Sequence, residues 1–571
     1  MKRGLAAPLL FSALAIAALG SANASTIYWL GSLALLGGGA WLMRNEPAAR
    51  GATLLGAAVC SLGAWLVATN FWANPSYTAS APYQAAFLIG GFLVGRRTGT
   101  RNAARLFSVA VVFAIAMAVW ALWQKAALGE SRAHSVFVTP ATLGSAINLV
   151  LAPALALYVL HPAGRRLLPV IVLLLAGLAV AQSRGAWIAL GAAAAVTAVL
   201  AYAAGLQPNR RQLWIAILMV ACGAFAPLLM SVLPASSPGA AGAPAGHFAM
   251  ADGTSLAERL ALYELAWAGV KASSWLVGSG YQSFYYLLES SRPLAPTYAF
   301  ISTYFVHDDY LQVLLELGVP GLACLLAIVA LPIMYAWRVA PHYTATFQQR
   351  MTAVAALAGI VSMAIHALVD FPFYIPVCVL LYGTTLGILD AAVIEIGGIR
   401  LLHPPAPLRY DKLQRASVAA VATVAAWILV MPAAAEGASA YALRQWRTGN
   451  GPEAAFGFEI ARRLDSRDWR YHWYAGQFWM NQAANTPDRA AAARADQAFA
   501  AACNANLREA LPLRNRIALH DQLASSLDAP ADAKTLLGWA ELAVKLAPAD
   551  PAVRAERDRL AVKLAGAKGG K

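Results

Sequence analysis

A histidine and two aspartates stand immediately before a long apolar run, in "STYFVHDDYLQVLLELGVPGL" from Ser302 to Leu322. His307 can accept a proton near neutral pH, and Asp308 or Asp309 can cap the following helix through its free N–H groups. A metal site needs three or four converging ligands, and nothing in the sequence requires one. The stretch therefore offers a base and a helix cap, with a metal site as the weakest alternative.

Two arginines stand where apolar or amphipathic stretches begin. Arg184, in "AQSRGAWIAL", lies between two apolar runs, where Gly185 would permit a tight reversal. Arg259 lies one turn before Tyr263 in "SLAERLALYELAWAGVKASSWLVGSGYQSF". The structural alternative for Arg184 is a side chain that extends to lipid headgroups. For Arg259 it is a position on the solvated face of a helix. Both arginines are candidates for binding an anion.

Two further polar clusters lie between apolar runs. In "HALVDFPFYIP", His366 and Asp370 are one turn apart next to two prolines. A kinked helix end with an internal hydrogen bond is the alternative to direct chemistry there. Arg132 and His134, in "ESRAHSVFVTPATLGSAINL", form a weaker cluster.

Arginines and a histidine that face one cavity suit a particular kind of substrate. Arginine binds phosphate through a fixed fork and does not deprotonate. Histidine can take a proton from an attacking hydroxyl. A diphosphate at the outer leaflet, with a hydroxyl attacking the carbon beside it, would use both.

The composition is that of a polytopic membrane protein. Of 571 residues, 59% are hydrophobic and 12% charged, against about 25% charged in soluble domains. The net charge is +15, and the basic residues fall in short clusters between apolar runs. This placement indicates that they set membrane topology and contact lipid headgroups, and it disfavours nucleic-acid binding. The five cysteines include no CxxC pair, so neither a zinc ribbon nor a disulfide framework is indicated.

The chain contains thirteen apolar runs, or twelve spans if the first run is a cleaved signal peptide. Lys2 and Arg3 precede the first run and "SANA" ends it, but a second run follows at once, which favours an uncleaved span. The run at 84–95 is short. The predicted runs are 5–23, 26–43, 51–69, 84–95, 106–126, 143–160, 167–181, 186–204, 213–233, 312–338, 352–369, 376–395 and 416–433.

Basic clusters occupy every second loop between these runs, which makes those loops cytoplasmic by the positive-inside rule. The clusters are at 44–50, 96–105, 161–166, 210–211, 338–350 and 400–415. The alternate loops are then periplasmic, together with everything after residue 433. These loops are 70–83, 127–142, 182–185, 234–306 and 370–375.

Two regions lie outside the predicted spans. The periplasmic loop 234–306 begins with the flexible "SSPGAAGAPAGH" and then turns amphipathic, with Leu256, Leu260, Tyr263 and Trp267 at helical spacing. This spacing predicts a helix against the membrane domain.

The tail forms a second predicted domain, 434–571, beside a membrane domain at 1–433. It is helical in periodicity, with breaks near 451, 487, 530 and 548, and its end resembles a tetratricopeptide unit. It offers either a docking surface for an acceptor or a helical cap without a partner.

Three motifs in order resemble the O-antigen ligase and polymerase superfamily. They are "SRGAW" (183–187), the Arg259 helix with "GSGYQSF", and "HDDYLQVLLELGVPGL" (307–322). The resemblance covers roughly 130–395. It implies a GT-C-like transferase, all-α with about 12–13 transmembrane helices, in a bacterial inner membrane.

The resemblance also implies a reaction. A glycan would pass from undecaprenyl diphosphate to an acceptor at the periplasmic face, with inversion and without a cofactor or metal. The acceptor would be lipid A–core, a growing polysaccharide or a protein hydroxyl. The extra last span and the tail are not part of the basic ligase core and leave the acceptor open.

The resemblance assigns roles to individual residues. Arg184 and Arg259 would neutralise the diphosphate leaving group, and His307 would position or deprotonate the acceptor hydroxyl. Asp308 stands where the family often has Asn. The residues expected to line the substrate site are Arg132, Asp308, Tyr310, His366 and Asp370.

Two other classes of function remain as alternatives. A transporter of lipid-linked sugars would show internal repeats and broken helices at mid-membrane, whereas the polar residues here cluster at one face and no repeat is visible. A membrane scaffold that recruits partners through its tail would make the pairing of Arg184 with His307 incidental.

Overall fold

The computed structural model describes residues 6–23, 25–43, 51–74, 79–130, 132–232, 256–291, 303–342, 344–396, 412–486 and 488–569. These residues are helical, without a β-strand among them. The predicted flexible segment "SSPGAAGAPAGH" and the basic residues at 44–50 and 400–411 lie outside the described part of the chain.

Most helices of the membrane region coincide with one predicted apolar run each, but the helix at 81–127 covers two runs, and those at 256–272 and 284–291 match none. Fourteen helices of this region are described. They are α1 Ala6–Asn23, α2 Thr26–Leu42, α3 Leu54–Ala68, α4 Ala81–Ala127, α5 Pro140–Leu160, α6 Leu168–Ala181, α7 Arg184–Ala203, α8 Arg210–Val232, α9 Leu256–Ala272, α10 Phe284–Ser291, α11 Asp309–Val339, α12 Phe347–His366, α13 Pro376–Ile396 and α14 Lys412–Arg447.

Length and composition single out eight candidate spans within the described residues, and α1 and α2 are shorter apolar helices. The chain is therefore a multi-pass membrane protein. The apolar windows of α5 and α13 are 83% and 78% buried, which makes these two helices the centre of the bundle. α12 packs against both of them and against α7.

The tail adds six helices, and the prediction of a tetratricopeptide repeat stays a prediction. The predicted boundary after residue 433 falls inside α14, which continues from the last apolar run into the tail. The tail helices are α15 Gly451–Leu464, α16 Trp469–Asn485, α17 Arg489–Ala505, α18 Ala510–Gln522, α19 Ala533–Leu546 and α20 Pro551–Gly569.

α4 is long enough to cross a membrane twice. As one straight helix its 47 residues would extend about 70 Å, more than twice the roughly 30 Å of a bilayer core. Gly99 has non-helical angles (φ 61°, ψ −172°) and divides α4 into two arms. The two arms correspond to the predicted runs 84–95 and 106–126.

Both ends of α4 lie at the same face of the bundle. Gln84, near its start, donates to the carbonyl of Phe373 at 2.6 Å. Gln124, near its end, donates to the carbonyl of Ser135 at 2.9 Å. The partners belong to the loops that precede α13 and α5. We call this face the site face, and the opposite face, with Gly99 and the arginines of 96–105, the basic face.

Four glycines allow α4 and α13 to approach closely. Gly91 and Gly95 on α4 face Gly383 and Gly387 on α13, at the same four-residue spacing. A Cβ at Gly95 would overlap the carbonyl oxygen of Thr384. Small residues at this spacing let membrane helices pack backbone to backbone.

A buried ion pair joins the same two helices near the basic face. Arg96 Nε lies 3.3 Å from Asp390 Oδ2, and the hydroxyl of Thr53 donates to Asp390 Oδ1 at 2.6 Å. The carboxylate is fully buried, so its charge depends on these two partners.

α11 is broken at Gly318 (φ 67°), which leaves a short arm at the site face and a longer arm that crosses the bundle. The loop after α9 satisfies two carbonyl groups at the break. The N–H of Ser279 donates to Leu315 at 3.0 Å, and the N–H of Gly280 donates to Glu316 at 2.8 Å.

The break depends on two glycines that face each other. Gly278 and Gly318 both have positive φ, 76° and 67°. A Cβ at Gly278 would overlap the carbonyl of Glu316, and a Cβ at Gly318 would lie 2.8 Å from the N of Gly278. "GSGYQSF" and "ELGVPG" are therefore two halves of one backbone contact.

The predicted helix after Ser255 is confirmed as α9, but its predicted packing face is wrong. Leu262 and Ala266 are buried, whereas Leu260 and Trp267 are 50% and 47% exposed. The buried side of α9 packs with Leu315 of α11 in one apolar cluster. The exposed apolar side chains point away from it, as in helices that lie at a membrane surface.

The tail is attached at the site face. The carboxylate of Glu436 in α14 accepts from the hydroxyl of Ser25 at 2.5 Å and from the N–H of Thr26 at 2.7 Å. In α16, Trp469 Nε1 donates to the hydroxyl of Tyr286 in α10 at 3.4 Å. The tail therefore contacts the segment that leads to His307.

Candidate active site

His307 has a backbone conformation that is uncommon for a non-glycine residue. Its φ is 63°, in the left-handed region. The hydroxyl of Tyr263 donates to the carbonyl of His307 at 3.0 Å, and the N–H of Asp309 donates to Ala367 at 2.8 Å. Because α9 and the end of α12 hold both sides of this residue, the direction of its ring is set by the surrounding structure.

Asp370 lies between two histidines. Its Oδ1 is 3.5 Å from His307 Nδ1, and its Oδ2 is 4.0 Å from His366 Nε2. The carboxylate is fully buried, and neither oxygen makes a hydrogen bond to a described residue. A buried charge without donors is costly, and the two imidazole rings are the polar groups that face this carboxylate.

Ser145 orients the second histidine. Its Oγ lies 2.8 Å from His366 Nδ1 and 3.3 Å from the carbonyl of Ala141. The hydroxyl donates to the Ala141 carbonyl, and the contact with Nδ1 holds the ring with Nε2 directed toward Asp370. Ser145 was not among the predicted site residues, because a serine inside an apolar helix carries no distinctive signal.

Asp308 caps α11, which confirms the prediction that one of the two aspartates caps this helix. Its Oδ1 accepts from the N–H groups of Tyr310 and Leu311, both at 3.0 Å. Burial raises the pKa of Asp308, and these two bonds partly offset the rise. Asp309 has a different partner, because its Oδ2 accepts from the N–H of Phe373 at 2.8 Å.

Arg259 lies near this cluster on the half-buried side of α9. Its charge acts on Tyr263 and on His366, and its Nε is buried without a hydrogen bond to a described residue. Burial, with the charge of Asp308, raises the pKa of the Tyr263 phenol, and Arg259 opposes that rise. The guanidinium therefore has donor capacity left for an anion.

Arg184 is the first residue of α7 and is exposed. Ser183 caps the helix by accepting from the N–H of Ala186 at 3.3 Å. A helix N-terminus presents free N–H groups and the positive end of the helix dipole, which favour anions. Arg184 adds a guanidinium to that position.

The tight reversal before α7 is made by Gln182 (φ 53°), so the role predicted for Gly185 is wrong. Gly185 instead permits a close approach between helices. A Cβ there would lie 2.7 Å from Val369 Cγ2 and 3.2 Å from His366 Cδ2. The start of α7 is thereby held against the His366 ring.

Arg132 belongs to the same corner of the molecule. It donates to the carbonyl of Gln182 at 3.4 Å, two residues before Arg184. His134 Nδ1 lies 2.8 Å from the carbonyl of Phe137 in its own loop. Three arginines thus border one face, while His134 has a local partner.

The structure separates the predicted site residues into groups. His307, His366 and Asp370 adjoin one another, and Arg259 acts on His366. Asp308 serves as a cap, and the hydroxyl of Tyr310 donates to the carbonyl of Ala364 at 2.9 Å. Contacts of Asp308 and Tyr310 with a substrate stay predictions.

Glu316 holds the site together, although it was not among the predicted site residues. Its carboxylate accepts from the N–H groups of Gln282 and Phe284 at 2.7 and 3.1 Å. It also accepts from the Tyr374 hydroxyl at 2.7 Å and from Gln312 Nε2 at 3.1 Å. A glutamate inside an apolar run was the available signal.

The site is shielded from solvent. Both ring nitrogens of His307 are buried and make no hydrogen bond to a described residue. No cluster of His, Cys, Asp or Glu suited to a metal ion occurs in the part of the chain that the structure describes.

Multiple spans and a buried His–Asp–His cluster bordered by arginines define a helical membrane protein with a polar site at one face. Residues 169–326 match the family model for the O-antigen ligase. The match supports the predicted O-antigen ligase/polymerase superfamily.

Members of that family are glycosyltransferase-like enzymes, with lipid-linked glycans and acceptors as partners in general. The matched region includes Arg184, Arg259 and His307 and ends before His366 and Asp370. No curated protein gives a significant match to the chain.

Proposed function

We propose that this protein is an inverting glycosyltransferase of the O-antigen ligase type, which transfers a glycan from undecaprenyl diphosphate to an acceptor hydroxyl. The observation that carries the proposal is the buried His307–Asp370 pair, with Arg259 beside it, in a chain that holds an O-antigen ligase domain.

His307 is the proposed base. With its Nδ1–H directed to Asp370, the neutral ring has a lone pair on Nε2 for the proton of the acceptor hydroxyl. The acceptor oxygen then bonds to the anomeric carbon. The bond from that carbon to the phosphate oxygen breaks, and its electron pair leaves with undecaprenyl diphosphate. Attack opposite the leaving group inverts the anomeric centre.

Asp370 is a positioning residue in this proposal. It is fully buried and acts through the imidazolium that forms on His307. A carboxylate behind a histidine base holds the productive tautomer and stabilises the charged ring.

The arginines are proposed to neutralise the departing diphosphate. Arg184, at the start of α7, and Arg259, on α9, supply charged donors that stay protonated at any working pH. Stabilising charge that develops in the transition state is a large contribution to catalysis. In this scheme the arginines do what divalent cations do in many phosphate-leaving reactions.

Reconstitution of the full chain tests the proposal. Proteoliposomes with undecaprenyl-diphosphate glycan are offered lipid A–core, a growing polysaccharide or a protein acceptor. We expect transfer to one acceptor class, its loss in His307→Ala and Arg184→Ala, and unchanged donor partition into the membrane. Full activity in both variants would exclude the site, and loss with a chelator that added metal restores would exclude metal-independent transfer.

The tail is proposed to dock the acceptor, because it contacts α10 beside the site through Trp469 and Tyr286. A truncation after Arg447 keeps α14 and the bonds of Glu436 to the start of α2. We expect slower transfer, with a higher KM for the acceptor. Unchanged transfer to every acceptor would exclude docking by the tail.

We further propose that the site face is periplasmic in a bacterial inner membrane. The arginines of 96–105 and 161–166 lie toward the other face, which the positive-inside rule makes cytoplasmic. A reporter fused after residue 571 tests the orientation. Reporter activity in the cytoplasm would reverse the assignment.

A further inference from the structure

A large apolar cavity lies at the end of the bundle opposite His307. Its volume is about 650 Å³. α12 connects the two places, because Phe347 at its start lines the cavity and His366 at its end belongs to the site. A helix of this length spans about 30 Å. The cavity therefore lies in the leaflet on the basic face, away from glycan transfer.

The cavity wall presents mainly hydrocarbon. It is formed by side chains of α1, α4, α5, α12 and α13. The hydroxyl groups of the five lining residues that carry one are all occupied. That of Thr100 donates to the carboxylate of Glu395, and the other four each donate to a carbonyl four residues earlier on their own helix. These residues are Ser108, Thr352, Thr384 and Thr385. Such a wall offers water few partners and suits an alkyl chain.

The mouth of the cavity is positively charged. Arg166 lines it and is exposed, and His161 lies beside it. No carboxylate occurs among the described residues that line the cavity. Arginine pairs with phosphate through two parallel N–H groups, and basic side chains at this depth attract anionic lipid headgroups.

We propose that this cavity binds one acyl chain of an anionic phospholipid from the leaflet on the basic face, with the lipid phosphate paired to Arg166. The volume lies within the range of about 300–1,000 Å³ usual for ligand sites. Because both arms of α4 line the cavity, through Val94 and Ala103, the acyl chain packs between them. This site is independent of the proposed transferase activity.

Native mass spectrometry of the full chain tests the proposal. The protein is purified in mild detergent and offered equimolar phosphatidylglycerol and phosphatidylethanolamine. We expect one retained lipid, mainly phosphatidylglycerol. Ala355→Trp fills the cavity and should abolish retention, and Ala103→Trp does so from another wall if the first variant does not fold. Arg166→Gln should reduce the preference for phosphatidylglycerol about fivefold, as expected for one interfacial arginine.

Two control variants separate the cavity from the general surface. Leu218→Trp adds the same bulk to the exposed side of α8, and Arg165→Gln removes the neighbouring charge, which does not line the cavity. Both should retain lipid as the wild type does. Undiminished retention in the two cavity variants, an unchanged preference in Arg166→Gln, or a polyprenyl lipid as the retained species would each overturn the proposal.

Discussion

His307 Nδ1 lies 3.5 Å from Asp370 Oδ1, although the two residues stand before α11 and after α12. Tyr263 and the backbone of Ala367 hold the His307 loop against the end of α12. A buried carboxylate in this position can hold the His307 ring in one orientation, which suits a residue that acts as a base.

Replacing Asp370 by Asn should reduce kcat about 10²–10⁴-fold with little change in the KM for donor. Without the carboxylate the His307 ring is no longer held in its productive orientation, so the chemical step slows while donor binding persists. Steady-state transfer assays over a range of donor concentrations measure kcat and KM separately. Asp390→Asn, which removes a buried carboxylate at the basic face, is the matched control. An unchanged kcat in Asp370→Asn would contradict the positioning role.

Replacing Arg184 or Arg259 by Gln should lower kcat/KM for the lipid-linked donor by about 10²–10³-fold, because each removes a charged donor from the leaving group. Lys at either position should restore part of the rate, since it keeps the charge without the fork. Transfer rates against donor concentration test this, with Arg338→Gln on the exposed basic-face end of α11 as control. Equal rates for a Gln variant and the wild type would show that the substituted arginine has no role in catalysis.

Glu316→Gln should destabilise the protein by about 1–3 kcal/mol, because an amide N–H₂ would meet donors where the carboxylate accepts four hydrogen bonds. The loss should appear as a lower Tm in detergent and as weaker protection of the 278–284 segment in hydrogen exchange. Glu264→Gln, on the exposed side of α9, should change neither. Unaltered protection of 278–284 in Glu316→Gln would refute the anchoring role.

Gly387→Ala should destabilise the α4–α13 contact by about 1–3 kcal/mol, because its Cβ would overlap the carbonyl of Phe92. Thermal unfolding followed by aggregation in detergent measures the change. Gly191→Ala on α7 is matched in chemistry, and a Cβ there meets nothing within 4 Å. It should be neutral or slightly stabilising. A Gly387 variant as stable as the Gly191 variant would show that the helices are less tightly packed.

The tail should lose stability in acid through Asp496. Burial alone would raise its pKa, but hydrogen bonds from His520 Nε2 at 2.8 Å and Arg516 Nε at 2.6 Å outweigh burial and lower the pKa to about 2. A lowered folded-state pKa stabilises the fold above the ordinary aspartate pKa of about 3.9, and this contribution is lost as the pH falls through about 2.

Pepsin cleavage of the full chain between pH 4.5 and 2 measures that loss. The wild type should resist cleavage between α17 and α18 at pH 4.5 and become sensitive toward pH 2. Asp496→Asn should be sensitive throughout, whereas Asp528→Asn, whose carboxylate is 80% exposed, should behave like the wild type. Identical profiles for Asp496→Asn and wild type would count against the ion pair.

Much of the architecture was readable from the sequence. The apolar runs predicted the helices, because a bilayer core requires about 20 apolar residues with every backbone group bonded inside the helix. The motifs around Arg184, Arg259 and His307 predicted the family that the matched region supports. The cap at Asp308 was also readable, since capping depends on residues within one turn.

The tertiary structure decided what depends on contacts between distant segments. Asp370 contacts His307, and Gly278 contacts Gly318, only once the helices pack. The same is true of the four hydrogen bonds that Glu316 accepts. Local periodicity therefore does not predict these contacts. The buried side of α9 and the close-packing role of Gly185 were likewise decided by neighbouring helices. Sequence alone determined which segments enter the membrane and which residue types are available, because those follow from transfer free energies of short stretches. Which side chains meet was decided by packing, because close contact depends on the shapes of several helices at once.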